Sequence, residues 1–260
     1  MLLKLSRSCS REEVGGIVLA VLIALGGTSC GQYLNAAHSA RSGAMGGCFV
    51  ADDTVRHVAV DYRRGYMLAE MADKRCSVVW PTRRIGTIYA DYLHHGDAAY
   101  HEQQLTAGYG LRVLPWFQVG VGASYLHVGT DDAWYEPRRW LGASVTAAAD
   151  VGRSVRIAVL AGSRPWDELR PWRAHVQMAY RPIVPLLTVV ELESEERVRV
   201  RAGVEYCYRD LLFVRAGMVT RPVVATFGVG VRYRWLSIDL SAETHRVLGL
   251  TPQTTMTLWF

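Results

Sequence analysis

The chain has 260 residues, of which 50% are hydrophobic and 20% charged, with a formal net charge of +5. Beyond the N-terminus no stretch approaches the roughly 18 to 20 consecutive apolar residues that a spanning helix requires, which excludes a helical membrane protein. The positive charge is mild and unclustered, which excludes nucleic-acid recognition, and the length suits one sizeable domain.

At the start of the chain, Lys4, Arg7 and Arg11 precede an apolar run over residues 14–25 and then small residues, Gly26, Gly27, Thr28 and Ser29. That is the layout of a secretory signal, so residues 1–31 are expected to be removed by a cut between Gly31 and Gln32. Cys30 offers the alternative of a lipidated N-terminus. Cys48, Cys76 and Cys207 would remain, without the spacing of a metal site. A disulfide between Cys48 and Cys76 is one option in an oxidising compartment. Residues 32–65 are expected to form a segment in or near a lumen, and residues 66–260 the strands around it.

The main signal along that stretch is period-two alternation. Residues 55–62 look strand-like, and residues 101–113 and 117–128 alternate with Gly108, Gly110, Gly120 and Gly122 on the polar side. Over residues 197–208 one face carries Val198, Val200, Ala202, Val204, Tyr206 and Tyr208; the other carries Arg197, Arg199, Arg201, Gly203, Glu205 and Cys207. Residues 223–234 alternate in the same way, and Leu236, Ile238, Leu240 and Ala242 then alternate with Ser237, Asp239, Ser241 and Glu243.

Alternation alone also fits a secreted β-sandwich with a solvated face. Glycine favours a lumen, because a strand gains nothing from glycine on a solvated face, whereas an inner plug gives those positions a reason to be small. The same face mixes Arg199, Arg201, Arg215 and Arg232 with Glu205, Asp239 and Glu243, a set able to pair across a lumen.

The connections alternate between tight turns and longer polar loops, as in bacterial barrels with both termini in the periplasm. Counting back from Phe260 with a first strand at Tyr66 gives about 14 strands, an even number as such barrels require. The fold class is therefore all-β, a single transmembrane antiparallel β-barrel in the outer membrane. Trp80, Tyr92, Trp116, Phe117, Tyr180, Tyr208, Tyr233, Trp235 and Trp259 are candidates for its interfacial girdles. The last strand places Met256, Leu258 and Phe260 on one face, which resembles the signal read by the barrel-assembly machinery.

Ser39, Ala40, Arg41, Met45, Gly46, Gly47, Asp52 and Asp53 match an "SAR-x-x-x-MGG…A-x-x-D" stretch. Here the chain resembles the PorV/PorQ-like branch of the FadL-type barrels of Bacteroidota, as it does at residues 201–206, 214–217, 227–230, 236–239 and 245–250. The resemblance implies a 14-stranded barrel whose N-terminal segment enters the lumen, and a non-enzymatic role in type IX secretion or surface attachment. The partners it implies are outer-membrane lipid, the assembly machinery, and secretion components or cargo. The chain lacks the Asn-Pro-Ala element frequent in FadL-type members. The alternatives are a FadL-like transporter of small hydrophobic compounds and a small structural barrel.

Phosphate-loop, Gly-x-Ser-x-Gly and His-Glu-x-x-His signatures are missing, and neither a cofactor nor a metal is expected. The strongest catalytic alternative pairs His94 and His95 with Asp131 and Asp132 on external loops, since facing Asp and His pairs activate water. A metal held by His94, His95 and His101 lacks a fourth ligand.

Overall fold

Alternating side chains and tight turns produce a ladder of antiparallel strands that closes on itself. The computed structural model describes residues 39–48, 55–82, 86–131, 136–163, 172–194 and 198–260. The strands are β1 (His57–Arg64), β2 (Ala72–Thr82), β3 (Gly86–Gly96), β4 (Tyr100–Leu114), β5 (Phe117–Thr130), β6 (Arg138–Val151) and β7 (Val155–Ser163). They continue as β8 (Trp172–Ile183), β9 (Leu186–Glu193), β10 (Arg199–Tyr208), β11 (Leu212–Thr220), β12 (Val223–Tyr233), β13 (Leu236–His245) and β14 (Gly249–Trp259). Each pairs with its sequence neighbours, and β1 closes the ring on β14 with His57 opposite Trp259 and Asp61 opposite Thr255. Closure leaves no open edge, the condition for strands to cross a bilayer. No helix among the described residues is long and apolar enough to cross a membrane.

The barrel has 14 strands, as expected, but its first strand is not the expected one. It begins at His57 rather than Tyr66, so β1 occupies part of the segment assigned to the lumen. Tyr66 sits instead in the connection to β2, and Asp73 and Lys74, expected in a loop, lie inside β2. An alternating stretch bends at Gly65, whose N–H donates to Met71 O at 3.0 Å and folds the connection back on itself.

The distribution of polarity is the inverse of a soluble protein's. Leu141 is 77% exposed and Val121 57% on the outer face, whereas Glu193 and Glu191 are 0% and 2% exposed on the inner. A continuous apolar outer surface of this kind calls for lipid, not water. Trp80, Tyr92, Trp116, Tyr180, Tyr208, Tyr233 and Trp235 are exposed on the wall or its turns, where girdle residues belong. Trp259 is not among them: it points inward, its Nε1 donates to Ser237 Oγ at 3.0 Å, and the Arg232 guanidinium lies 4.4 Å over its ring.

Candidate functional site in the barrel lumen

The lumen holds a short helix, α1 (Ala40–Ala44), packed on the inner faces of β11 to β14. Ser39 starts it as an N-cap, its Oγ accepting from Ser42 N at 3.3 Å. Gly46 and Gly47, both at φ +74°, end it, and the Gly47 N–H returns to Ser42 O at 2.9 Å. Glycine is suited to two successive left-handed residues because a Cβ would be strained there.

Barrel side chains satisfy the polar backbone groups of this segment. Thr255 Oγ1 accepts from Ala40 N at 2.7 Å and in turn donates to Asp61. Thr226 Oγ1 accepts from Gly46 N and donates to Ala44 O, both at 2.9 Å. Arg201 Nη1 donates to Gly47 O at 2.9 Å. A buried segment without such partners would lose free energy at every unpaired group. The fit also depends on missing side chains: a Cβ on Gly203 would stand 2.5 Å from Met45 Cβ, one on Gly228 2.6 Å from Ala44 Cβ, and one on Gly217 would collide with the backbone of Met45 and Gly46.

Arg41 anchors α1 electrostatically. Its Nε and Nη2 each donate to Glu205 at 2.7 Å, while Arg215 donates to Glu205 at 2.7 Å and to Asp239 at 2.5 Å. Two guanidinium groups and two carboxylates thus form a connected, formally neutral set, which is how buried charges become tolerable. Arg201 donates to Glu193 at 2.6 Å, Arg199 lies 3.5 Å from it, and Arg173 also pairs with it. Near the external mouth, Arg63 donates to Glu243 at 2.9 Å and to Asp73 at 3.3 Å, and His95 Nδ1 is 2.5 Å from Asp73 Oδ1.

Of the charged residues singled out from alternation, Glu205, Arg215 and Asp239 meet directly, Arg199 and Arg201 gather on Glu193, and Glu243 meets Arg63. Arg232 lies against aromatic rings, 5.4 Å over Phe213 and 4.4 Å over Trp259. Sequence reasoning missed Arg41 as the partner of Glu205, and missed Glu193, Arg63 and Asp73. Their parity within strands was readable; which strands face one another across the lumen was not. Asp52, Asp53 and Cys30 lie outside the described residues.

The opposite wall is different. Inward positions on β4 to β7 carry Thr106, Gly108, Gly122, Ser124, Leu126, Trp140, Ser144, Ala158 and Leu160. Leu93 on β3 and Leu126 are buried there at 5% and 3% exposure. The lumen therefore has one charged wall that carries α1, and a facing wall whose middle is small and apolar, between Glu102 toward one end and Arg112, Asp150 and Arg156 toward the other.

Two alternatives weighed from the sequence lose their geometry because neighbouring strand residues face opposite sides of the wall. His95 reaches Asp73 in the lumen, while His94 stacks on His101 at 6.1 Å on the outside. His94 and His95 lie within β3 on opposite faces, and not together on an external loop with Asp131; Asp132 is outside the described residues. The same division separates His94 and His101 from His95 as metal ligands. Cys48 is buried beside Met45, Leu187 and Val189, whereas Cys76 is exposed, and both thiols are free, so the disulfide between them does not form. Burial pushes the Cys48 thiol up to about 12. Met256, Leu258 and Phe260 share the outward face, and Phe260 N donates to Arg56 O at 2.9 Å across the closing seam.

No protein-family model matches the chain, and no curated protein matches it in sequence. Solved structures do match in fold. CymD, a monoaromatic hydrocarbon channel, aligns with a TM-score of 0.63 at 9% identity, over 85% of this chain and 97% of its own. The Pseudomonas putida toluene transporter TodX aligns at 0.61 and 10% identity, over 86% and 99%. A Pseudomonas aeruginosa FadL homologue aligns at 0.55 and 10%, over 80% and 90%. These neighbours lend no support to the PorV/PorQ branch in particular; what the chain shares with them is the fold of the FadL-type outer-membrane barrels.

Proposed function

We propose that this barrel passes small hydrophobic compounds across the outer membrane, with α1 as the movable obstruction in its lumen. The observation that carries the reading is the division of the lumen into two unlike walls. α1 is held to the charged wall by a limited set of hydrogen bonds and the Arg41 clamp, while the middle of the facing wall offers Leu, Ala, Gly and Trp surface, with charge such as the buried Glu102 standing toward its ends. Apolar lining with a few placed polar groups is what a small hydrophobic ligand requires. The toluene transporter and the hydrocarbon channel of the same fold make this class of substrate reasonable, and the secretion role has no comparable geometric support. The reading is non-enzymatic, with the exposed strand face of Met256, Leu258 and Phe260 presented to the assembly machinery.

Vesicles containing the purified barrel test it. Toluene is expected to equilibrate faster than in empty vesicles, while a monosaccharide of similar size is not. Equal rates for toluene with and without the barrel would overturn the reading. Type IX secretion components co-purifying with the barrel, together with unaltered toluene flux, would replace it with the secretion role.

A further inference from the structure

The outer face of β2 to β6 carries an ordered set of side chains that the lumen does not use. Strand registers place Lys74 opposite His94, His94 opposite Gln103, Gln103 opposite His127 and His127 opposite Arg139, one continuous row across five strands. The adjacent residues Asp73, His95 and Glu102 point into the lumen, so this row points out. His101 lies just beyond it, its ring 6.1 Å from that of His94 and 6.0 Å from that of His127. Gly129 opposite His101 leaves the imidazole room, since a Cβ there would stand 2.7 Å from its Nε2.

The rows below fix the level of this band. Two residues nearer the barrel's middle run Cys76, Tyr92, Leu105, Tyr125 and Leu141, and two further on Val78, Ala90, Ala107, Ala123 and Ala143. Tyrosines on an outer wall mark the edge of the hydrocarbon layer. Two residues of strand span about 7 Å, so the Lys74 to Arg139 row stands at headgroup height. Below the tyrosine row, the alanines form a shallow strip in the wall where a chain can lie.

Neither Lys74 nor Arg139 has an ion-pair partner among the described residues. Lys74, His94, His101 and Gln103 line an open depression of about 440 Å³ with Asp97 and Asp131, which belong to the turns beyond the strand ends. Asp97 Oδ1 is already engaged, accepting from the backbone N–H of Ala99 at 3.0 Å and of Tyr100 at 3.1 Å.

We propose that this face binds the phosphorylated headgroup of an outer-leaflet glycolipid. Lys74 and Arg139 meet phosphate oxygens, Gln103 and the imidazoles donate hydrogen bonds between them, and the acyl chains lie over the tyrosine and alanine rows. Charge-assisted bonds from lysine and arginine suit phosphate, and basic side chains at the bilayer surface recognise anionic headgroups. The inference is independent of what passes through the lumen.

Native mass spectrometry of the full barrel in detergent tests it, with three probes: bisphosphorylated lipid A, the same lipid stripped of phosphate, and inorganic phosphate. The unaltered barrel is expected to retain the bisphosphorylated lipid. The double variant K74Q/R139Q is expected to retain it at least tenfold less, and R139Q alone severalfold less. R209Q/R234Q, matched in charge but altered on the opposite rim, is expected to bind as the unaltered barrel does. Heat-modifiable gel migration verifies the fold of each variant. Retention by K74Q/R139Q equal to the unaltered barrel, equal retention of the stripped lipid, or displacement by an equal concentration of inorganic phosphate would each overturn the proposal.

Discussion

At the scale of single residues, the bond between Arg41 and Glu205 ties the lumen segment to the wall. Glu205 keeps Arg215 when Arg41 is lost, so Arg41→Gln removes two charge-assisted bonds without stranding a carboxylate. The expected cost to α1 docking is about 1–3 kcal/mol. Limited proteolysis should then cut the N-terminal segment while the barrel still migrates as folded. Arg215→Gln differs, because Arg215 bridges Glu205 and Asp239 at 3% side-chain exposure. Removing a buried shared donor costs about 3–5 kcal/mol, and it should appear as a lower urea midpoint for the whole barrel. Cys48 reports on the same docking: with its thiol raised to about 12 and buried, it stays protonated and unreactive at pH 8. Iodoacetamide should leave Cys48 untouched until the barrel is unfolded, and labelling of native Cys48 at the rate seen after unfolding would show α1 undocked. Alternation identified the charged residues on strands, because parity is a local property. Arg41 stood out only as part of a resemblance, since nothing local says that a residue before β1 will meet one on β10.

At the scale of elements, α1 and the glycines facing it form one device. Gly203, Gly217 and Gly228 lie on three adjacent strands, and Met45, Gly46 and Ala44 occupy the space their side chains would fill. Gly217→Val is expected to displace α1 and make the N-terminal segment protease-sensitive, with the strand ladder intact. Gly110→Val is the control, because a Cβ there meets nothing nearer than 3.8 Å. If both variants behave alike, the effect is one of strand propensity and not of docking. The sequence made the glycines conspicuous, since they weaken a strand unless something approaches closely. It did not reveal a helix, because five residues ending in Gly46-Gly47 are too few for a helical period to show and gain their stability from the barrel's hydrogen bonds. The misplaced first strand has a different origin. Residues 55–62 already look strand-like, but the loop expected at Asp73 and Lys74 makes the count from Tyr66 even without them; those two residues lie inside β2, and the segment paired with β14 and β2 is the first strand.

At the scale of the whole molecule, closure and an inverted polarity were the most legible features, because each strand repeats the same two-faced pattern and the turns between them are short. The contrast between the lumen's walls was not legible, since it depends on how fourteen inner faces are arranged around a ring. That contrast yields a test of transport in which the fold is a fixed background. Leu160 faces the lumen on β7, opposite Thr146 on β6 and His175 on β8, far in sequence from α1 and the Arg41 clamp. Leu160→Glu places a carboxylate among the small and apolar side chains of this wall, where a charged group repels a hydrocarbon and holds water. Toluene flux into vesicles is expected to fall at least tenfold, with protease resistance of the N-terminal segment and heat-modifiable migration unchanged. Leu160→Ala keeps the wall apolar and should retain flux. A loss equal in both variants would mean that the position matters for packing; no loss in either would mean that hydrophobic compounds do not pass along this wall.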